Sequence, residues 1–128
     1  MRGDRSSAIT QIFDVLLANF PAEPTDRAVD TLREELLTEI EGERPRAVII
    51  DVSRVATLDS FFARVIAETA EMVQLLGGQP IIVGIRPSVA ITAAQLGYTF
   101  EDIETARDVD HALTSLGFSS EGVKPSDE

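Results

Sequence analysis

The sequence predicts a single α/β domain with a mostly parallel central sheet, an N-terminal strand or hairpin and about four helices. Two runs carry that prediction. Ala47-Val48-Ile49-Ile50-Asp51-Val52 and Pro80-Ile81-Ile82-Val83-Gly84-Ile85 place apolar residues at consecutive positions, so both faces of each strand must be covered. Around them, apolar residues recur at helical spacing, and strands alternating with helices of about 10 to 17 residues favour right-handed βαβ units. The third observation is length: 128 residues make about one domain.

The elements follow in order. Met1 to Ser7 is a polar lead-in, 8–118 is the folded domain, and 119–128 is a Ser, Gly, Pro and acid-rich tail; both ends are expected to be flexible. Ala8 to Phe13 and Val15 to Phe20 read as two short extended segments, with a hairpin around Asp14, ended by Pro21 and Pro24. Thr25 caps a helix to about Glu41, in which Ala28, Val29, Leu32, Leu36 and Ile40 share a face, the outer face is acidic and Gly42 is the stop. After the first buried strand comes a central helix, Ser60 to Leu76, whose polar residues Arg64, Glu68, Glu71 and Gln74 form a narrow stripe; Gly77-Gly78 stops it. Its broad apolar face predicts packing against the sheet and against a partner. The second buried strand leads to Pro87, pre-set for the first turn of a helix through Leu96, with Gly97 as its stop. A short strand around Tyr98 to Ile103 and a last helix, capped by Asp108 and running to about Leu116, complete the alternation. Val48, Ile50, Ile82, Val83, Phe62 and Ile66 are expected in the core.

Composition excludes several functions. A formal charge of -11 argues against binding nucleic acid or an anionic membrane, since either partner demands a concentrated basic patch; a basic protein partner fits better. With no Cys, disulfide scaffolds, thiol nucleophiles and thiolate zinc sites are out. No run reaches the roughly 18 apolar residues of a membrane span, and Met1 to Ser7 lacks the apolar middle of a signal peptide, so a cytoplasmic location is expected.

Ordinary catalysis is eliminated step by step. A Ser, His and acid triad would need His111, the only histidine, which reads as a surface residue in the first turn of the terminal helix. No metal site is expected, because no His or Cys pair exists and the acids are spread along helix faces. No cofactor is expected either: Gly77-Gly78 and Gly84 match neither a P-loop nor a dinucleotide fingerprint. Asp51, at the C-terminal end of a buried strand, stands where phosphoryl acceptors lie in open α/β folds, which raises a receiver-like alternative. Against it, receivers carry an acidic pair and a late-strand lysine, whereas Asp14 is alone and Lys124, the only lysine, lies in the tail. The other reading of Asp51 is a turn organiser bonding nearby backbone.

Ser60 opens the central helix, where unpaired backbone N–H groups and a partial positive charge suit either a simple cap or a phosphoryl group. Asp59 and Ser60 compete for the cap position. From these residues alone, both readings stand.

The stretch from about Arg46 to Leu116 resembles a STAS domain, the fold of bacterial anti-anti-sigma factors, and is similar to the RsbS branch of that family, the stand-alone S-type component of the stressosome. The matching residues are Val48-Ile49-Ile50-Asp51, Asp59-Ser60-Phe61 and Gly84-Ile85-Arg86-Pro87, with Ala90, Thr92, Leu96-Gly97 and Ile103-Glu104-Thr105-Ala106 in support. The resemblance implies a non-enzymatic binding module in stress-responsive sigma factor regulation. On that resemblance the chain is expected to self-associate and to co-assemble with R-type STAS paralogues, and in its unphosphorylated form to sequester a switch serine/threonine kinase of the RsbT type that phosphorylation at Ser60 would release. Asp59, Ser60, Phe61 and Arg64 are then the partner-binding residues, and Thr92 a second modification site, as in the R-type paralogues. An anti-anti-sigma factor binding an anti-sigma kinase is the alternative within the family, but there a small residue and Gly-Leu usually follow the serine, and here Phe61 and Phe62 do.

Overall fold

The computed structural model describes residues 8–23, 25–56, 59–98 and 102–119. Five strands form one sheet in the order β1 (Ile9–Ile12), β2 (Val15–Asn19), β3 (Ala47–Asp51), β4 (Gln79–Val83) and β5 (Glu104–Ala106). The first pair is antiparallel, joined at Phe13 and Asp14, and the other three pairs are parallel. Spatial order therefore equals chain order. Right-handed crossovers that always step in one direction must all lie on one face of the sheet. That face carries α1 (Asp26–Glu43), α2 (Ser60–Leu75) and α3 (Pro87–Gln95), while α4 (Val109–Ser115), which follows the last strand, is left for the other.

Strand alternation divides the core accordingly. Leu16, Ala18, Val48, Ile50 and Ile82 point to the face covered by α1 and α2 and meet Val29, Leu32, Leu36, Phe62, Val65 and Ile66. Val15, Ala47, Ile49, Ile81 and Val83 point the other way, against Ala112 of α4 and Phe118. Because both faces are sealed, Val48, Ile50, Ile82 and Val83 are all at most 1% exposed, as their consecutive apolar pattern requires.

Three boundaries differ from the sequence expectation. The first helix runs through Gly42 to Glu43 and ends at Arg44, which adopts the left-handed conformation (φ 50°) and returns its N–H to Ile40 O. Pro45 follows, and a residue before proline is driven out of the right-handed helical region, so the proline and not the glycine sets the stop. The fifth strand lies at Glu104–Ala106 instead of around Tyr98 to Ile103; of that stretch, residues 99–101 fall outside the described residues. Pairing decided its position: Ile81, Ile82 and Val83 take Glu104, Thr105 and Ala106 as partners, and an edge strand tolerates polar residues that give no apolar signal. The second buried strand closes at Val83, two residues earlier than Ile85.

Candidate functional site

The β3–α2 loop carries the candidate site, and the ends of two buried strands shape it. Oδ1 of Asp51 accepts from the Ser53 N–H at 2.9 Å, Val52 N–H donates to Val83 O at 3.0 Å, and Val55 N–H donates to Val52 O at 3.0 Å. Arg86 reaches over from the end of β4, its Nε donating to Ser53 O at 3.1 Å. Gly84 makes this closeness possible. It has φ +80°, and a Cβ there would stand 2.6 Å from Cβ of Ser53. Asp51 is thus half-buried and engaged as the organiser of a turn.

Asp59 is in extended conformation, and its Oδ1 accepts from the Phe62 N–H at 2.8 Å. It takes the cap. Ser60 is then the first helical residue, exposed, and among the described residues its hydroxyl has no hydrogen-bond partner. Phe61 is half-buried against the core, while Phe62 goes fully inside and meets Phe20 edge-on at 5.5 Å between ring centroids. One turn beyond Ser60, the Arg64 guanidinium lies 6.0 Å from the Phe61 ring centroid and 4.0 Å from Glu68. The four predicted partner-binding residues therefore gather at the N-terminal end of α2. The helix end offers orphan donors and partial positive charge; Asp59 supplies negative charge beside them, and Arg64 a cation one turn away.

Thr92 is separate from this group. It is half-buried on α3 and its hydroxyl donates to Ser88 O at 3.0 Å, within its own helix. His111 sits at the start of α4, its side chain 49% exposed, its Nε2 3.1 Å from Arg107 and its backbone N–H held by Asp108, which is a surface helix residue's setting. Among the described residues, no group of three or more His, Asp or Glu is placed to hold a metal ion. Sequence reasoning overlooked Arg86 and Ser53 as the residues that fasten the loop. The signal was present in Gly84-Ile85-Arg86-Pro87, where a glycine needing positive φ precedes an arginine at a helix entrance.

Residues 8–112 match the family model described as STAS domain. The chain belongs to the STAS domain family. A serine-to-glutamate variant of RsbS from Moorella thermoacetica superposes with a TM-score of 0.75 at 31% identity, covering 84% of this chain and 91% of that one. A chain from a structure described as the molecular architecture of the stressosome, a signal integration and transduction hub, gives a TM-score of 0.76 at 31% identity, over 84% and 93%. The RsbT co-antagonist protein RsbRD of Bacillus subtilis (strain 168) is 32% identical over 88 residues, 69% of this chain and 32% of that protein. This STAS chain spans about a third of the length of the RsbT co-antagonist proteins it matches. It is related to stressosome proteins of both the RsbS and RsbR kinds, of which the RsbR relatives are named as RsbT co-antagonists. Among the described residues, no helix is long and apolar enough to cross a membrane.

The receiver-like alternative at Asp51 loses its footing. Receivers place their acceptor where strand order reverses, and the order here runs from β1 to β5 with no reversal and therefore no switch-point crevice.

Proposed function

We propose that this STAS domain is a regulatory binding module of a partner-switching stress pathway, acting in the cytoplasm within a stressosome-like assembly. In its unphosphorylated form it holds a switch serine/threonine kinase of the RsbT type; phosphorylation at Ser60 releases the kinase. The observation that carries this reading is the division of labour at the start of α2: Asp59 caps the helix, which leaves the exposed Ser60 hydroxyl without a structural task. The names of the relatives, RsbS and RsbT co-antagonists, supply the type of partner.

The chemistry is that of a binary switch. A phosphoserine adds about -1.5 to -2 charge and three strong acceptors, which its own helix N-terminus tolerates while the adjacent Asp59 strengthens the local negative field. A kinase surface complementary to a neutral hydroxyl and the Phe61 ring would be lost to repulsion and desolvation, with the fold unchanged. Co-assembly with R-type paralogues and with further copies uses the apolar side chains left at the surface of α2 and α3, of which Leu75 is 82% and Ile91 60% exposed.

Incubation with an RsbT-type kinase and magnesium ATP, followed by intact mass and phosphosite mapping, tests the proposal. A single added phosphoryl group on Ser60, absent in Ser60→Ala, is expected. Modification that leaves Ser60 untouched, or none, contradicts it. Light scattering should give at least a dimer, alone or with R-type paralogues; a monomer in both cases at high micromolar concentration removes the assembly role.

A further inference from the structure

A cavity of about 310 Å³ lies beneath α3, against the sheet face that α2 also covers. Its cause is in the sequence. Where α1 and α2 bury Leu, Ile, Val and Phe, α3 lines the space with Ala90, Ala93 and Ala94 and with Val89 as its one larger side chain there, so that wall is thin. Ile66 of α2 and Ile82 of β4 line the other side. The pairing of Ile82 with Thr105 brings the Thr105 side chain to the same face, and among the described residues lining the space only Thr105 and Tyr98 carry a hydroxyl.

Close-packed interiors hold few voids larger than a water molecule. This one opens at a rim where Ala90, Ala94 and Thr105 are exposed, and its volume is about twice the ~150 Å³ in which an enclosed apolar cavity takes up benzene. It also reaches the range of small-molecule pockets, which begins at about 300 Å³. Water gains little there, since a buried water needs about two to four polar partners and the walls are otherwise hydrocarbon. Among the described residues no charged side chain lines it, so anions, cations and nucleotides would find no counter-charge there. We infer that the space beneath α3 binds a small neutral apolar molecule, one or two rings in size, with a single hydrogen-bonding group directed at Tyr98 and Thr105. Since Ile66 lies on the helix that begins at Ser60, an occupant also braces α2 against α3.

Indole is a suitable probe, being two fused rings with one N–H donor, and tryptophan is its zwitterionic control. Titration of the full chain, followed by methyl carbon–proton spectra, should give saturable shifts at Ile66, Ile82 and Val89, with tryptophan giving none. Ala93→Leu fills the space and should weaken indole binding on the order of tenfold or more, the loss expected when a ligand's apolar contacts are taken by a side chain. Because Ala93 is buried and its enlargement endangers folding, Ala90→Leu at the exposed rim serves as a second filled variant with the same expectation. The inference is overturned by absence of saturable shifts in the wild type, by undiminished binding in a folded filled variant, or by equal shifts from tryptophan.

Discussion

Asp59→Ala removes the side-chain acceptor that caps α2, the 2.8 Å bond from the Phe62 N–H to Oδ1. Losing such a cap costs typically about 1 kcal/mol, within a range of roughly 0.5 to 2. With an unfolding entropy of about 2.1 cal/mol/K per residue and a folded domain of about 110 residues, that is a fall in Tm of about 4 °C. Ser60 occupies the next position, where alanine is the better helix former by a few tenths of a kcal/mol, so Ser60→Ala should leave Tm within about 2 °C of the wild type. Asp59→Asn keeps the acceptor and loses only the charge–dipole part, roughly 0.5 kcal/mol. Differential scanning calorimetry of the three variants reads these differences directly. If Ser60→Ala costs as much as Asp59→Ala, the serine is the cap, and the argument that its hydroxyl is free for signalling fails.

Gly84→Ala forces a side chain into left-handed backbone, at about 1–2 kcal/mol, and drives its Cβ against Ser53, so urea denaturation should show a loss of about 2 kcal/mol or more. An unchanged midpoint would mean that the loop does not rest on β4. Ile50→Ala empties a fully buried site in the middle of the sheet, and an equilibrium loss of about 2–5 kcal/mol is expected; less than about 1 kcal/mol would contradict the packing described. Arg46 bonds Asp14 at 2.8 Å and Leu116 O at 2.9 Å and lies over the Phe118 ring, but its side chain is 42% exposed. Solvent screening limits the effect of Arg46→Ala to about 1 kcal/mol in the same assay, and a larger loss would show the contact to be more sheltered than described.

The parts of this fold that could be read from sequence are those whose energetics are written locally. Val48 to Ile50 and Ile81 to Val83 must be covered on both faces, and Thr25, Pro87 and Asp108 begin helices by chemistry confined to one turn. What escaped depends on partners distant in sequence. The Glu104–Ala106 strand exists because β4 offers it a ladder, and nothing in its own composition announces that. Glycine favours the left-handed conformation and so Gly42 reads as a stop, yet the helix continues to Arg44, which Pro45 bars from the right-handed helical region. The site was legible to the residue type but not to the role: Asp59 and Ser60 both fit a cap, and the choice between them followed from the extended geometry at Asp59. Arg86 carries no local signal of its role, because its bond to Ser53 links positions 33 residues apart.

The central claim is that the charge state of Ser60 sets kinase binding without altering the fold. Isothermal titration of a purified RsbT-type kinase against the unmodified protein, Ser60→Ala and Ser60→Asp tests it most directly. The account predicts matching affinities for the first two and a weakening by about 2 to 5 kcal/mol, roughly 30-fold or more, for Ser60→Asp, with calorimetric melts that agree within a few degrees. Equal affinity for the unmodified protein and Ser60→Asp would contradict it and leave Ser60 an ordinary residue of the first helical turn.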